Sequence, residues 1–187
     1  MDFKKLKEIQ KKLDKYIGES KKIKMENYKI ERIIALQVEF NELLNELPFL
    51  FKYWTNKKMD REKALEEYID GLHFILSIGN DFGIEDYEYT KPTNPNTHDM
   101  RRLAIGINNM IGRLRKDSYK ELFDHYLLFG EKLGFTQEEI ENAYMDKNKV
   151  NYERQEQGYW NETLIVRKIE SWRTKHMRKG EWKWVKY

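Results

Sequence analysis

Apolar residues recur at steps of three and four along much of the chain, the spacing that places side chains on one face of an α-helix. The first apolar stripe ends before Gly18, the second covers about residues 30–47 and stops near Pro48, and the third covers about residues 61–79. Asp60 precedes the third stripe and can cap it, because a short acidic side chain accepts a hydrogen bond from the first helical turn. The first stripe consists of Phe3, Leu6, Ile9, Leu13 and Ile17.

The pattern breaks in the middle of the chain and then resumes. Pro92 and Pro95 forbid a regular helix within residues 83–100, which predicts a loop and a candidate lid over a ligand. Further helices are predicted at about residues 99–114 and 118–133. The chain therefore alternates helices with short connections rather than strands with turns.

A capping signal opens the last predicted helix. Thr136 and Glu139 have the spacing of a capping box, in which each side chain bonds the backbone N–H of the other residue. The helix that follows continues toward Gly158. With only 10 Gly and 3 Pro in 187 residues, the sequence predicts an all-α helical bundle with one substantial core.

Composition and hydropathy narrow the possible sites, the location and the partners of the protein. The absence of cysteine rules out disulfides, thiolate metal sites and cysteine nucleophiles. No apolar run reaches the roughly 18 residues that would span a bilayer. The first residues, Met-Asp-Phe-Lys-Lys, lack the apolar stretch of a secretory signal, so we expect a cytoplasmic protein without membrane contact. The net charge of +3, from 35 basic and 32 acidic residues, is too small to indicate nucleic acid.

The end of the chain differs from the rest in composition. Residues 160–187 are rich in lysine, arginine and tryptophan, and we predict that they form a basic aromatic extension of an all-α domain formed by residues 1–159. Such an extension could wrap a dimer partner, close over an active site, or hold a single-stranded nucleic acid between basic and aromatic side chains. Its tryptophans are Trp160, Trp172, Trp182 and Trp184.

Four carboxylates stand in two short runs on separate predicted helices. Glu39 and Glu42 are spaced i,i+3 on the second helix, and Glu67 and Asp70 repeat that spacing on the third. The members of each pair leave the same helix face about one turn apart. Converging carboxylates repel one another and lose hydration unless a cation lies between them. Mg²⁺ prefers oxygen ligands of this kind, so the pattern predicts a magnesium site.

A second polar stripe lies on the last predicted helix. Lys147, Asn151 and Arg154 are spaced i, i+4, i+7, and all three can bind oxygen anions such as phosphate. Together with a magnesium site, they indicate a nucleoside triphosphate. Trp54 and Phe74 could stack on its base. Each motif taken singly also fits a structural reading, a solvated polar face or an aromatic core residue.

In combination these segments resemble the dimeric dUTPases, a family of the all-α nucleoside triphosphate pyrophosphatase superfamily that includes the MazG-like enzymes. The resemblance covers roughly residues 3–160 and is strongest in residues 35–46, 51–54, 66–74 and 147–159. It implies an all-α homodimer that hydrolyses dUTP to dUMP and pyrophosphate with Mg²⁺.

The resemblance also implies roles for single residues. Glu39 and Glu42 would be catalytic, and Glu42 would activate the attacking water. The metal ligands would be Glu39, Glu42, Glu67 and Asp70, the phosphate chain would be held by Lys147, Asn151, Arg154 and Tyr159, and Gln10, Trp54 and Phe74 fall where family members contact uracil and deoxyribose.

Two alternatives stay open at the level of sequence. A related pyrophosphatase with another base preference, for dCTP or a modified nucleotide, would have the same carboxylates. A non-catalytic helical protein that binds nucleic acid through the basic aromatic end is the alternative from another class. That second alternative leaves four carboxylates on apolar-rich helices unexplained, so we rank nucleotide hydrolysis first and do not expect a nucleic-acid partner.

Overall fold

The computed structural model describes residues 2–156, which form six α-helices joined by loops and short 3₁₀ turns, with no strand among them. This confirms the predicted all-α fold. The chain divides into two compact units, Met1–Tyr152 and Glu153–Tyr187. The described part of the second unit is the last turn of the final helix. The helices are α1 Phe3–Lys21, α2 Lys29–Asn45, α3 Arg61–Asp81, α4 Met100–Gly112, α5 Tyr119–Lys132 and α6 Gln137–Glu156. The predicted boundary after residue 159 and the basic aromatic end lie outside the described residues.

The core of the first unit is built around α3. Its most extensive helix pairing is with α2, while α1 packs on another side of α3 and α4 packs against both α2 and α5. Apolar side chains from α2 and α3 are removed from solvent along this pairing, and burying each one contributes about 1.5–3 kcal/mol. Fully buried examples are Leu36, Phe40 and Leu43 on α2 and Leu72, Ile75 and Leu76 on α3.

Local capping signals in the sequence are confirmed. The Asp60 side chain accepts a hydrogen bond from the Lys63 N–H at 3.3 Å and caps α3. At α6 the reciprocal pair forms as predicted. The Glu139 N–H donates to Thr136 Oγ1 at 3.2 Å, and the Thr136 N–H donates to Glu139 Oε2 at 2.8 Å. These contacts join residues that are three apart in the sequence, so the residue pattern alone indicates them.

The first helix is longer than the sequence predicts. It passes through Gly18 and ends at Lys21, where Lys22 adopts a left-handed backbone conformation with φ 55°. The Ile23 N–H then bonds back to the Gly18 carbonyl at 2.9 Å. A Cβ on Gly18 would lie 3.1 Å from the Ile23 carbonyl oxygen. Gly18 is therefore a point of close approach for the returning chain rather than a helix terminator.

The proline-containing loop between α3 and α4 is fastened to α5. Apart from a short 3₁₀ turn at Pro95–Thr97 it contains no helix, as predicted. Asp124 on α5 accepts hydrogen bonds from the Tyr87 hydroxyl at 2.6 Å and from the Thr90 N–H at 3.1 Å. Asn94 lies 3.2 Å from Nε2 of the α5 residue His125. These bonds hold the loop on the surface of α5 in this structure.

Candidate active site

Three carboxylates meet where α2 and α3 pack together. Glu39, Glu67 and Asp70 are each half-buried, and each can place one oxygen within 4.8 Å of the others. Their neighbours explain the convergence, since Phe40 beside Glu39 and Ile69 beside Asp70 are buried in the core. Burial of those apolar side chains turns the acidic faces of the two helices toward each other. We call Glu39, Glu67 and Asp70 the carboxylate cluster.

The electrostatics of the cluster are unfavourable for negative charge. Burial, followed by the charges of Asp70, Glu42 and Glu67, raises the pKa of Glu39 to about 7. The pKa of Glu67 is also raised, first by burial and then by the charges of Glu42 and Asp70. A cation among these oxygens would relieve both the repulsion and the loss of hydration. The donor set consists of carboxylate oxygens alone, which fits a hard divalent ion such as Mg²⁺.

Glu42 lies at the solvent-facing edge of the cluster. It is exposed and one turn beyond Glu39 on α2. Its charge contributes to the raised pKa of both Glu39 and Glu67, so it is close to both side chains. The predicted quartet is thus present as three converging carboxylates with a fourth beside them.

A lysine from α6 contacts the carboxylate cluster directly. Lys147 Nζ lies 2.6 Å from Asp70 Oδ2 and 2.9 Å from Glu66 Oε1. Burial acts to lower the pKa of Lys147, but these hydrogen bonds outweigh it and the pKa is raised. The lysine is therefore a charged neighbour of the cluster. It also joins α6 to α3 at the site.

Comparison with known protein families identifies the family to which the chain belongs. A family model described as dUTPase matches residues 2–159, most of the chain. The chain belongs to the dUTPase family. Its helical fold identifies the branch as the dimeric, all-α dUTPases, as the resemblance in the sequence implied. The membership supports hydrolysis of dUTP, and the enzyme is a dUTP diphosphatase.

No curated protein matches the chain. Among the helices of residues 2–156, none is long and apolar enough to cross a membrane.

Three of the four residues expected to bind phosphate lie on α6. In this dUTPase Lys147 reaches the carboxylate cluster, and Asn151 lies one turn further along, half-buried. Arg154 lies in the last described turn of α6, which belongs to the second unit. Tyr159 lies outside the described residues. Phosphate binding by these side chains stays a prediction.

Gln10 of the dUTPase is part of a buried hydrogen-bond network. Its Oε1 accepts from the Tyr144 hydroxyl at 2.7 Å and lies 2.7 Å from His73 Nδ1. Its Nε2 donates to Asp14 Oδ1 at 2.8 Å. The His73 ring stacks on Tyr144 with centroids 4.1 Å apart, and burial lowers the pKa of His73 to about 3. The charge of Lys147 also lowers that pKa, so the network lies beside the cluster.

The two aromatic residues expected at the base lie in different surroundings. Trp54 stands in the turn after α2 and is 66% exposed, with its ring edge-to-face on Tyr53 at 5.0 Å. Phe74 is one turn beyond Asp70 on α3, half-buried and packed against the core. Trp54 is thus accessible to a ligand, whereas the contacts of Phe74 fit the core alternative as well.

Sequence reasoning missed two residues beside the cluster. Glu66 shares Lys147 with Asp70, and Tyr126 on α5 is buried behind Gly71, the residue that follows Asp70. In the sequence Glu66 cannot be distinguished from an ordinary surface glutamate, and Tyr126 belongs to the apolar stripe of α5. Both residues contact helices that are far away in the sequence, so no local spacing could indicate them.

Proposed function

We propose that the enzyme hydrolyses dUTP to dUMP and pyrophosphate with Mg²⁺ held by Glu39, Glu67 and Asp70, and with Glu42 at the edge of the same site. One observation carries the metal assignment: three half-buried carboxylates offer oxygens within 4.8 Å of one another. When bound, Mg²⁺ would make a water ligand more acidic and offset charge on the phosphate oxygens.

Glu42 is the proposed general base. It is exposed to solvent, so a water molecule can approach it, and it lies one turn from Glu39. A carboxylate in that position can take the proton of the attacking water while Glu39, Glu67 and Asp70 are engaged with the cation. This division of roles needs no covalent intermediate.

Lys147 is proposed to exchange partners as substrate and metal bind. Its ammonium holds Asp70 at 2.6 Å, and a cation bound by Asp70 competes for the same carboxylate. A lysine released from Asp70 could instead neutralise the oxygens of a bound triphosphate. Asn151 and Arg154 follow it on α6 and are proposed to bind the same phosphate chain.

We further propose that the enzyme is a homodimer that uses the outer face of α2. Ile30, Ile34 and Val38 recur at four-residue steps on this helix and are 71, 57 and 47% exposed. We call these three residues the outer stripe. Ile105 on α4, which packs beside α2, is also exposed. A row of exposed apolar side chains on one helix face supports an interface here.

The catalytic roles are tested by Glu42→Gln, which keeps the shape of the side chain and removes its charge. We expect a fall in kcat of about 10²–10⁴-fold, the usual contribution of a general base, with no loss of folding. The matched control is Glu31→Gln, an exposed glutamate in the first turn of the same helix, which should keep parental turnover. Near-parental kcat in Glu42→Gln would refute its role as the base.

A further inference from the structure

A tyrosine from α5 touches the backbone of α3 between two members of the carboxylate cluster. The Tyr126 hydroxyl donates to the carbonyl oxygen of Tyr68 at 2.8 Å, and Tyr68 lies between Glu67 and Asp70 in sequence. Tyr126 itself is fully buried. The hydroxyl therefore reaches α3 at the turn that presents both carboxylates.

Gly71 makes this approach possible. A methyl group on Gly71 would overlap the Tyr126 hydroxyl and would lie 3.1 Å from the ring carbon Cζ. Any larger residue would force the buried Tyr126 ring to move or α5 and α3 to shift against each other. Since Gly71 follows Asp70 directly, such a shift would move the Asp70 carboxylate. Glycine is needed at position 71 because Tyr126 packs against it, and not because of its backbone conformation.

The contact is reciprocal and extends to α2. The Tyr68 ring stacks on the Tyr126 ring with centroids 4.8 Å apart, and the Tyr68 hydroxyl lies 3.4 Å from the Tyr126 carbonyl oxygen. Tyr126 also meets the ring of Phe40 at a centroid distance of 6.0 Å. Phe40 follows Glu39 on α2. Tyr126 thus contacts both helices at residues adjacent to the cluster.

We propose that Tyr126 is a positioning residue for the metal site, and that it acts through the Tyr68 carbonyl, Gly71 and Phe40. Tyr126 fixes the position of α3 along its axis and its rotation relative to α2. It thereby determines how closely the carboxylate oxygens converge. Metal ligands must be held to within a fraction of an ångström, and the packing behind them supplies that restraint. This inference rests on the proposed metal-binding role of the carboxylate cluster.

The fold contains a matched control for this contact. Tyr119, one turn before Phe123 on α5, donates its hydroxyl to the Ile75 carbonyl of α3 at 3.1 Å. A methyl on Gly79 would overlap that hydroxyl in the same way. The pair joins the same two helices with the same chemistry, but at Ile75, beyond the turn that carries Glu67 and Asp70. Tyr119 should therefore support stability without setting the positions of the carboxylates.

The test compares Tyr126→Phe with Tyr119→Phe in the full-length enzyme. We would measure Mg²⁺ binding without nucleotide by titration calorimetry, the Tm, and kcat and KM for dUTP. Both variants lose one buried hydrogen bond and should lose similar amounts of Tm. Only Tyr126→Phe should weaken Mg²⁺ binding, by about tenfold or more. It should also need more Mg²⁺ for half-maximal turnover.

A second pair of variants tests the mechanism. Gly71→Ala should weaken Mg²⁺ binding because its methyl meets the Tyr126 hydroxyl, and adding Tyr126→Phe removes that hydroxyl and should restore part of the affinity. Parental Mg²⁺ affinity in Tyr126→Phe, or equal weakening in Tyr119→Phe, would overturn the positioning role alone. Failure of the parental enzyme to bind Mg²⁺ would instead refute the proposed metal site on which it rests.

Discussion

Glu39 shows how burial and neighbouring charge act together on one residue. Its pKa is raised to about 7, so at mildly acidic pH the folded protein holds a proton that the unfolded chain releases near a pKa of 4.5. A folded state that binds more protons loses stability as pH rises, and here the loss spans about pH 4.5 to 7. His73 has the opposite effect, because its lowered pKa costs stability as pH falls below its usual value of 6.5. A comparison of variants separates the two.

Glu39→Gln should therefore change the pH dependence of stability. Without metal, the variant should have a higher Tm than the parental enzyme at pH 8, where Glu39 is ionised among other carboxylates. The difference should shrink toward pH 5, where Glu39 is protonated in the parent. Thermal unfolding in EDTA across this pH range measures the difference in Tm. The contribution of His73 is the same in both proteins and cancels in that difference. A Tm difference that stays constant from pH 5 to 8 would contradict the raised pKa of Glu39.

At the scale of helices, the sequence could predict what is local. Apolar periodicity and the Asp60 cap located α3, and the Thr136–Glu139 capping box located the start of α6, because each signal spans a few residues. The end of α1 was missed since Gly18 permits close packing by a chain segment that returns after the helix. The packing role of Gly71 was equally hidden, because its partner Tyr126 lies on another helix.

The same distinction applies to the candidate site. The i,i+3 spacing of Glu39 and Glu42 and the apolar residues around them made the carboxylate faces predictable. The bond between Lys147 and Asp70 was not, since it depends on how α6 crosses α3. Sequence indicates which groups share a helix face, and tertiary packing decides which of those faces meet.

The tyrosine–glycine contacts between α3 and α5 yield a prediction about stability. A Cβ on Gly130 would lie 2.6 Å from Cζ of the buried Tyr68 ring, so Gly130→Ala should lower the free energy of unfolding by about 1–3 kcal/mol. Gly106→Ala on α4 is the control, because nothing lies within 4 Å of its added methyl. It should raise stability by up to about 1 kcal/mol through helix propensity. Urea unfolding of both variants measures this, and equal effects would contradict the packing account.

At the scale of the whole molecule, α2 presents two different faces. The face of α2 that carries Glu39 turns inward toward α3, while the outer stripe of Ile30, Ile34 and Val38 faces solvent. One helix thus supplies both a candidate metal site and a candidate dimer contact. Association through the outer stripe would support the position of α2 from its other side.

Ile34→Glu should disrupt the proposed homodimer. Ile34 is the central residue of the outer stripe, so a charge there would be buried without a partner on association. We expect sedimentation equilibrium to give a dimer for the parental enzyme and a monomer for the variant. Met145→Glu, at an exposed position on α6, is the control and should stay dimeric. A parental monomer, or a variant as dimeric as the parent, would count against this interface.

Metal-dependent hydrolysis of dUTP at the carboxylate cluster can be measured directly. Its most direct test is pyrophosphate release from dUTP, dCTP, dTTP and UTP, each with Mg²⁺ and again with EDTA. We expect turnover of dUTP well ahead of the other nucleotides and loss of that turnover in EDTA. Undiminished release of pyrophosphate in EDTA, or faster turnover of another nucleotide than of dUTP, would contradict it.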